Sequence, residues 1–92
     1  MDTGIGEKIK ELRLEHDLTM DMLIADINGK FDLEKPMNKS MLSRWESGQN
    51  DPSLENTKVL SIYFNVSVDY LIGLTDVRTP SRLLVMRKKI DE

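Results

Sequence analysis

The 92-residue chain is 39% hydrophobic and 32% charged, a composition that predicts one small globular domain and excludes a disordered chain. It has no cysteine and one histidine, which argues against disulfides, thiol chemistry and metal sites, and no apolar run approaches the roughly 20 residues of a membrane helix. The net charge of −3 counts mildly against nucleic-acid binding, although acidic residues concentrate in the first third of the chain.

Two amphipathic helices are predicted at the start of the chain. The first spans about residues 5–16, where Ile5, Ile9 and Leu12 recur at helical spacing. The second begins at Thr19, whose hydroxyl can accept from a free amide of the first turn. Three apolar residues are predicted on the inner face of the second helix: Leu23, Ile24 and Ile27.

An irregular stretch, residues 28–36, separates the second helix from the third. Asn28 and Gly29 form a turn signal, and Pro36 closes the stretch before the next helix begins. Two lysines in this stretch are available for phosphate contacts, although loop lysines commonly serve only solubility: Lys30 and Lys35.

Residues 38–50 carry the pattern that most favours a specific function. Asn38 is a good N-cap, and Gly48 stands where a left-handed residue ends a helix. Leu42 and Trp45 are three positions apart and lie on the same face of this predicted helix. The other face carries Lys39, Ser40, Ser43 and Arg44. Such a helix suits insertion into a DNA major groove, although an ordinary amphipathic surface helix has the same pattern.

Two more helices are predicted after a polar turn. Ser53 caps a helix over residues 54–64, and Ser67 caps a short helix over residues 68–72 that ends at Gly73. The inner face of the longer helix is predicted to hold Leu54, Thr57, Leu60, Ser61 and Phe64.

The end of the chain forms a sixth segment. Thr79 and Pro80 are suited to the cap and the first position of a helix. A partial apolar face and a basic run follow, a pattern compatible with a dimerisation arm, a linker or a frayed tail. We expect a domain over residues 1–76 and a C-terminal helical arm or linker over residues 77–92.

Taken in order, these segments resemble the phage repressor/Cro-type helix-turn-helix family, also called the xenobiotic-response-element family of bacterial regulators. The resemblance covers roughly residues 5–74. Its most specific parts are SRWESG followed by PSLE, and then NVSVDYLIG. The resemblance implies an all-α fold: a compact five-helix lambda-repressor-like DNA-binding domain, followed here by the helical tail.

The resemblance also implies roles for individual residues. It places four side chains where family members contact base edges: Lys39, Ser40, Ser43 and Arg44. Residues expected at the sugar-phosphate backbone are Thr19, Asn38, Ser47, Gln49 and Asn50, with Lys30 and Lys35 from the irregular stretch. Arg13 and Glu46 match positions that pair in some members, which predicts a bond between the first and third helices. Trp45 is then a core anchor and not a base reader.

Three departures from the family pattern bear on DNA binding. Met20 replaces the glutamine usual at the start of the second helix, so one phosphate contact is lost. Nine residues lie between Ile27 and Met37, where about two are usual, and they are compatible with a longer helix, a DNA contact or another ligand. Asp51 stands where basic residues are common.

The function implied is a sequence-specific, dimeric transcriptional regulator, a repressor, that binds an inverted repeat in double-stranded DNA of a bacterium or phage. One alternative is an antitoxin that neutralises a toxin and represses its own operon. Another is a protein-interaction module without DNA binding, which the net charge, Met20 and Asp51 favour. An enzyme is not expected, because no nucleophile–base pair or glycine-rich phosphate loop is present. We expect a cytoplasmic protein without cofactor or metal.

Overall fold

A computed structural model describes residues 4–80 and shows five helices: α1 (Ile5–Glu15), α2 (Met20–Lys30), α3 (Lys39–Glu46), α4 (Leu54–Phe64) and α5 (Val68–Leu71). No strand occurs in this range, so the predicted all-α fold is confirmed. Across residues 4–80 no helix is long and apolar enough to cross a bilayer.

Side-chain caps fix where four of these helices begin. Thr19, Asn38, Ser53 and Ser67 each accept a hydrogen bond from the amide three residues later, at 3.1, 2.9, 3.1 and 2.9 Å respectively. These bonds satisfy amides that have no partner within the helix, so the predicted caps are confirmed. Asn28 and Gly29, in contrast, do not form the predicted turn.

The chain continues as helix through Asn28 and Gly29, and α2 ends at Lys30. The reason is a tertiary contact: the Asn28 side chain donates to the Met37 carbonyl at 2.8 Å and accepts from the Met37 amide at 3.0 Å. Because both groups of the side chain are occupied, the last turn of α2 is tied to the end of the connection, residues 31–38. The longer-helix alternative therefore holds for residues 28–30.

A single core unites the helices. Its fully buried side chains come from α1 to α5: Ile9, Leu12, Leu23, Ile27, Leu42, Leu60 and Leu71. The predicted inner face of α4 is right except at Leu54, which is 68% exposed. Leu54 is the first helical residue and lines an open groove instead of the core, whereas Val59 is buried. Ile24 is only partly buried.

Residues 74–80 follow α5 and are hydrogen-bonded to earlier parts of the chain. The Ser67 amide donates to the Arg78 carbonyl at 2.8 Å, and the Arg78 guanidinium donates to both carboxylate oxygens of Glu15, at 2.8 and 2.9 Å. These bonds connect the segment to the end of α1. Of the predicted C-terminal arm or linker, residues 77–92, the structure describes only residues 77–80, which are not helical, and the remainder lies outside the described residues.

Candidate nucleic-acid interface

The inner side of α3 is fixed to the core by two side chains. Leu42 is 0% exposed and Trp45 is 4% exposed. Asn38 caps the start of the helix, and Gly48, at φ +81°, takes the left-handed conformation that ends it. The helix therefore has a defined start, end and rotation about its axis, which sets where its outer side chains lie.

A second attachment joins α3 to α1 through charge. The Arg13 Nε donates to Glu46 Oε2 at 2.7 Å, and Nη2 donates to Oε1 at 2.8 Å. The predicted pair is thus present, and its side chains are only 9% and 4% exposed. The hydrogen bonds to Glu46 raise the pKa of the Arg13 guanidinium above its ordinary value. A bidentate pair of this kind fixes orientation as well as distance.

The outer side of α3 presents a row of polar side chains to solvent, here named the reading row: Lys39, Ser40, Ser43 and Arg44. All four are exposed. Arg44 makes no side-chain hydrogen bond or ion pair with another residue of the range 4–80. Its planar guanidinium, with five N–H donors, is free within that range to meet an acceptor from outside the chain.

One end of the reading row contacts α2. The Lys39 Nζ lies 3.6 Å from Oδ2 of Asp21, and both side chains are exposed. Asp21 belongs to the first turn of α2 and Lys39 to the first turn of α3. The two helices therefore meet, at this edge, through opposite charges.

The residues expected at a DNA backbone lie at helix ends and in the connections between helices. All are exposed: Thr19, Lys30, Lys35, Asn38, Ser47, Gln49 and Asn50. The backbone amide of Gln49 donates to the Arg44 carbonyl at 2.9 Å, so any phosphate contact at Gln49 comes from its side chain. Lys30 pairs with Asp26 at 3.3 Å and lies 5.4 Å from the Tyr63 ring centre. A phosphate would have to compete with both of these partners for Lys30.

A comparison with protein families decides the family of the chain. A helix-turn-helix family model matches residues 9–71, which include the four longest helices in full or in large part. The chain belongs to the helix-turn-helix family. The resemblance predicted from the SRWESG and NVSVDYLIG segments is thereby confirmed.

Three curated helix-turn-helix relatives are similar to the chain. The regulator YobD of Bacillus subtilis (strain 168) is 33% identical over 86 residues, 94% of this chain and 67% of YobD. The transcriptional activator BcrR of Enterococcus faecalis is 30% identical over 68 residues, 74% of this chain and 29% of BcrR. The regulator ImmR of Bacillus subtilis (strain 168) is 27% identical over 89 residues, 97% of this chain and 64% of ImmR.

The helix-turn-helix family and these relatives, all named HTH-type transcriptional regulators or activators, support a DNA-binding regulator and not an enzyme. The chain spans about two thirds of the length of YobD and of ImmR and less than a third of the length of BcrR.

Sequence reasoning missed two residues of this helix-turn-helix unit. The sequence predicts Asn28 as a turn residue, and nothing local in the sequence gives Asp21 a partner. Their partners, Met37 and Lys39, lie nine and eighteen positions further along the chain. Asp21 lies in the first turn of α2 and Lys39 in the first turn of α3. The signal in the sequence is that these two helices form one helix-turn-helix motif.

Proposed function

We propose that this chain is a sequence-specific DNA-binding regulator, a repressor, that inserts α3 in the major groove of an inverted-repeat operator. The observation that carries the proposal is the division of α3 into two sides. Leu42 and Trp45 are buried, while the reading row is exposed. A dimer bound at a promoter would block access of RNA polymerase to the DNA. The proposed location is the cytoplasm, where bacterial DNA lies.

Each member of the reading row has a proposed role. Arg44 pairs bidentately with guanine O6 and N7, which is worth about 1–3 kcal/mol of discrimination between bases. Lys39 reaches a guanine acceptor or a phosphate, and the hydroxyls of Ser40 and Ser43 contact either base edges or ordered water. Thr19, Asn38, Ser47, Gln49 and Asn50 hold the sugar-phosphate backbone and set the register, with Lys35 as an additional cation.

A homodimer is proposed because two copies would match the two halves of an inverted repeat, about 34 Å apart or a multiple of that distance. An apolar groove favours this assembly. Its lining includes Ile5, Pro52, Val68, Leu54 and Ile72. Leu54 and Ile72 are 68% and 50% exposed. A second copy would remove these side chains from water. Sedimentation of the wild type and of Leu54→Glu tests the assembly: the substitution should shift dimer toward monomer.

The experiment that tests the DNA-binding proposal starts from a selection on randomised duplexes with the wild-type protein. Binding of the selected duplex and of random duplex is then measured for the wild type, Arg44→Ala and Lys58→Ala. Lys58 is an exposed cation on α4 and is the matched control. Arg44→Ala should abolish most of the preference for the selected duplex, whereas Lys58→Ala should retain it.

Other results would point to the other candidate functions. If the wild type selects no sequence and its weak DNA binding shows no salt dependence, a protein-interaction module is the better description. An antitoxin would select an operator and also co-purify with the product of a neighbouring gene. Equal preference in the wild type and Arg44→Ala would show that Arg44 is not a base reader.

A further inference from the structure

One ion pair links the first turn of α2 to the first turn of α3, at the edge of the reading row. Asp21 Oδ2 lies 3.6 Å from Lys39 Nζ, and the two side chains are 76% and 60% exposed. An exposed pair of this kind contributes little to the stability of the fold. Its position beside the proposed DNA contacts therefore matters more than its effect on folding.

We propose that Asp21 is a specificity-determining residue that restrains Lys39 and lowers affinity for non-specific DNA, a proposal that rests on the proposed function above. Non-specific binding comes almost entirely from cations that neutralise phosphates. While Lys39 is paired with Asp21, the two side chains add no net charge to the interface. A random duplex then gains little from Lys39, because the Asp21 carboxylate offsets the attraction between the Lys39 ammonium group and a phosphate.

The place of Asp21 on α2 strengthens this effect. Thr19 caps α2, and the start of a helix ordinarily attracts a phosphate through its free amides and its dipole. The Asp21 carboxylate lies in that same first turn. A phosphate that approaches there meets a like charge. Phosphate binding is thus weakened at two neighbouring points, the start of α2 and Lys39. A duplex that lacks the base contacts of α3 has no gain that offsets this cost.

Asp21 weakens a hydrogen bond from Lys39 to a base less than it weakens the binding of a phosphate by Lys39. The 3.6 Å separation exceeds the roughly 2.7–2.9 Å of a tight charge-assisted hydrogen bond, and Lys39 is 60% exposed. The ammonium group therefore keeps donors free for a base acceptor such as guanine O6 or N7. Asp21 also limits the range of positions that Lys39 samples. The operator sequence therefore retains the contact between Lys39 and a base, whereas a random sequence cannot use Lys39 as a mobile cation for its phosphates.

The test compares Asp21→Asn with Asp69→Asn. Both substitutions remove one exposed carboxylate from the first turn of a helix, but Asp69 lies on α5. Binding to a random duplex and to the selected duplex is measured by fluorescence anisotropy between about 50 and 200 mM salt. Asp21→Asn should bind random duplex about fivefold more tightly, with a salt slope steeper by about 1. Its preference for the selected duplex should fall, while Asp69→Asn should keep the wild-type preference.

The same measurement in a Lys39→Met background identifies the route of the effect. The part of the gain from Asp21→Asn that acts through Lys39 should disappear when Lys39 is absent, and a gain of unchanged size in this background overturns the restraint of Lys39 by Asp21. Unchanged or weaker random-duplex binding by Asp21→Asn, with a wild type that selects an operator, overturns the role of Asp21 and leaves the proposed function standing. A wild type without salt-dependent DNA binding overturns both.

Discussion

Arg13 and Glu46 form two parallel hydrogen bonds, at 2.7 and 2.8 Å, that tie the first helix to the end of the third. The remaining Arg13 nitrogen, Nη1, donates to the Leu18 carbonyl at 2.8 Å, just before α2 begins. One guanidinium therefore bonds to α3 and to the α1–α2 link at once. A buried pair is weak evidence for stability, but its geometry fixes how α3 lies on the domain.

Glu46→Ala should lower the free energy of unfolding by about 3 kcal/mol, because it leaves the Arg13 charge buried without its partner. Urea unfolding followed by circular dichroism measures the change. Glu11→Ala, which removes an exposed carboxylate from α1, is the control and should stay within about 0.5 kcal/mol of the wild type. A loss below about 1 kcal/mol for Glu46→Ala would show that water replaces the pair at little cost.

Gly6→Ala should be among the most destabilising single-methyl changes in the chain. A Cβ at Gly6 would lie 1.7 Å from the Trp45 carbonyl oxygen, so α1 and α3 would have to move apart. Overpacking of this kind costs about 1–3 kcal/mol or more. Because α3 is displaced, operator binding should also weaken.

Gly29→Ala is the matched control for Gly6→Ala. Gly29 lies in the last turn of α2, and a Cβ there meets no atom within 4 Å. Alanine is the better helix former, so the free energy of unfolding should rise by about 0.5–1 kcal/mol. Thermal unfolding of both variants checks the pair, and equal destabilisation by the two would contradict the close approach at Gly6.

Much of this fold follows from local chemistry. The caps at Thr19, Asn38, Ser53 and Ser67 are predictable because each side chain bonds to an amide three residues away. The burial of Leu42 and Trp45 follows from helical spacing alone. Leu54 has the same spacing relative to Thr57, yet it is exposed, because spacing does not say where the covering helices end.

The candidate site is predictable to a lesser extent. Exposure of the reading row follows from the rotation of α3, which its two core residues fix. The two hydrogen bonds between Asn28 and Met37 depend on how residues 31–38 fold back toward α2, which no local sequence pattern predicts. The Asp21–Lys39 pair likewise requires the angle between α2 and α3.

Asn28→Ala should lower the free energy of unfolding by about 2 kcal/mol, because it leaves the amide and carbonyl of buried Met37 without their partner. Asn28→Asp keeps an acceptor for the Met37 amide but places a carboxylate oxygen against the Met37 carbonyl oxygen, so a loss at least as large is expected. Urea unfolding gives both values. Two variants as stable as the wild type would mean that residues 31–38 do not depend on this bond.

Tyr63 and Asp26 should make stability depend on pH at both extremes. Tyr63 Oη donates to Asp26 Oδ2 at 2.5 Å, joining α4 to α2. Burial of the ring, and then the bond to Asp26, raises the pKa of Tyr63 to about 12. The bond from Tyr63, and then that from Lys30, lowers the pKa of Asp26 below its ordinary value.

The two shifts act in opposite pH ranges. The Tyr63 contribution is complete below about pH 10, the ordinary tyrosine value, and should be lost as the pH rises toward about 12. The Asp26 contribution is complete above about pH 4 and should be lost as the pH falls through its lowered pKa. Tyr63→Phe removes the first loss and reduces the second. Urea unfolding of both proteins at pH values from about 3 to 12, with tyrosinate absorbance as a direct readout, tests this. Parallel stability curves for the wild type and Tyr63→Phe would show that the Tyr63–Asp26 bond does not persist in solution.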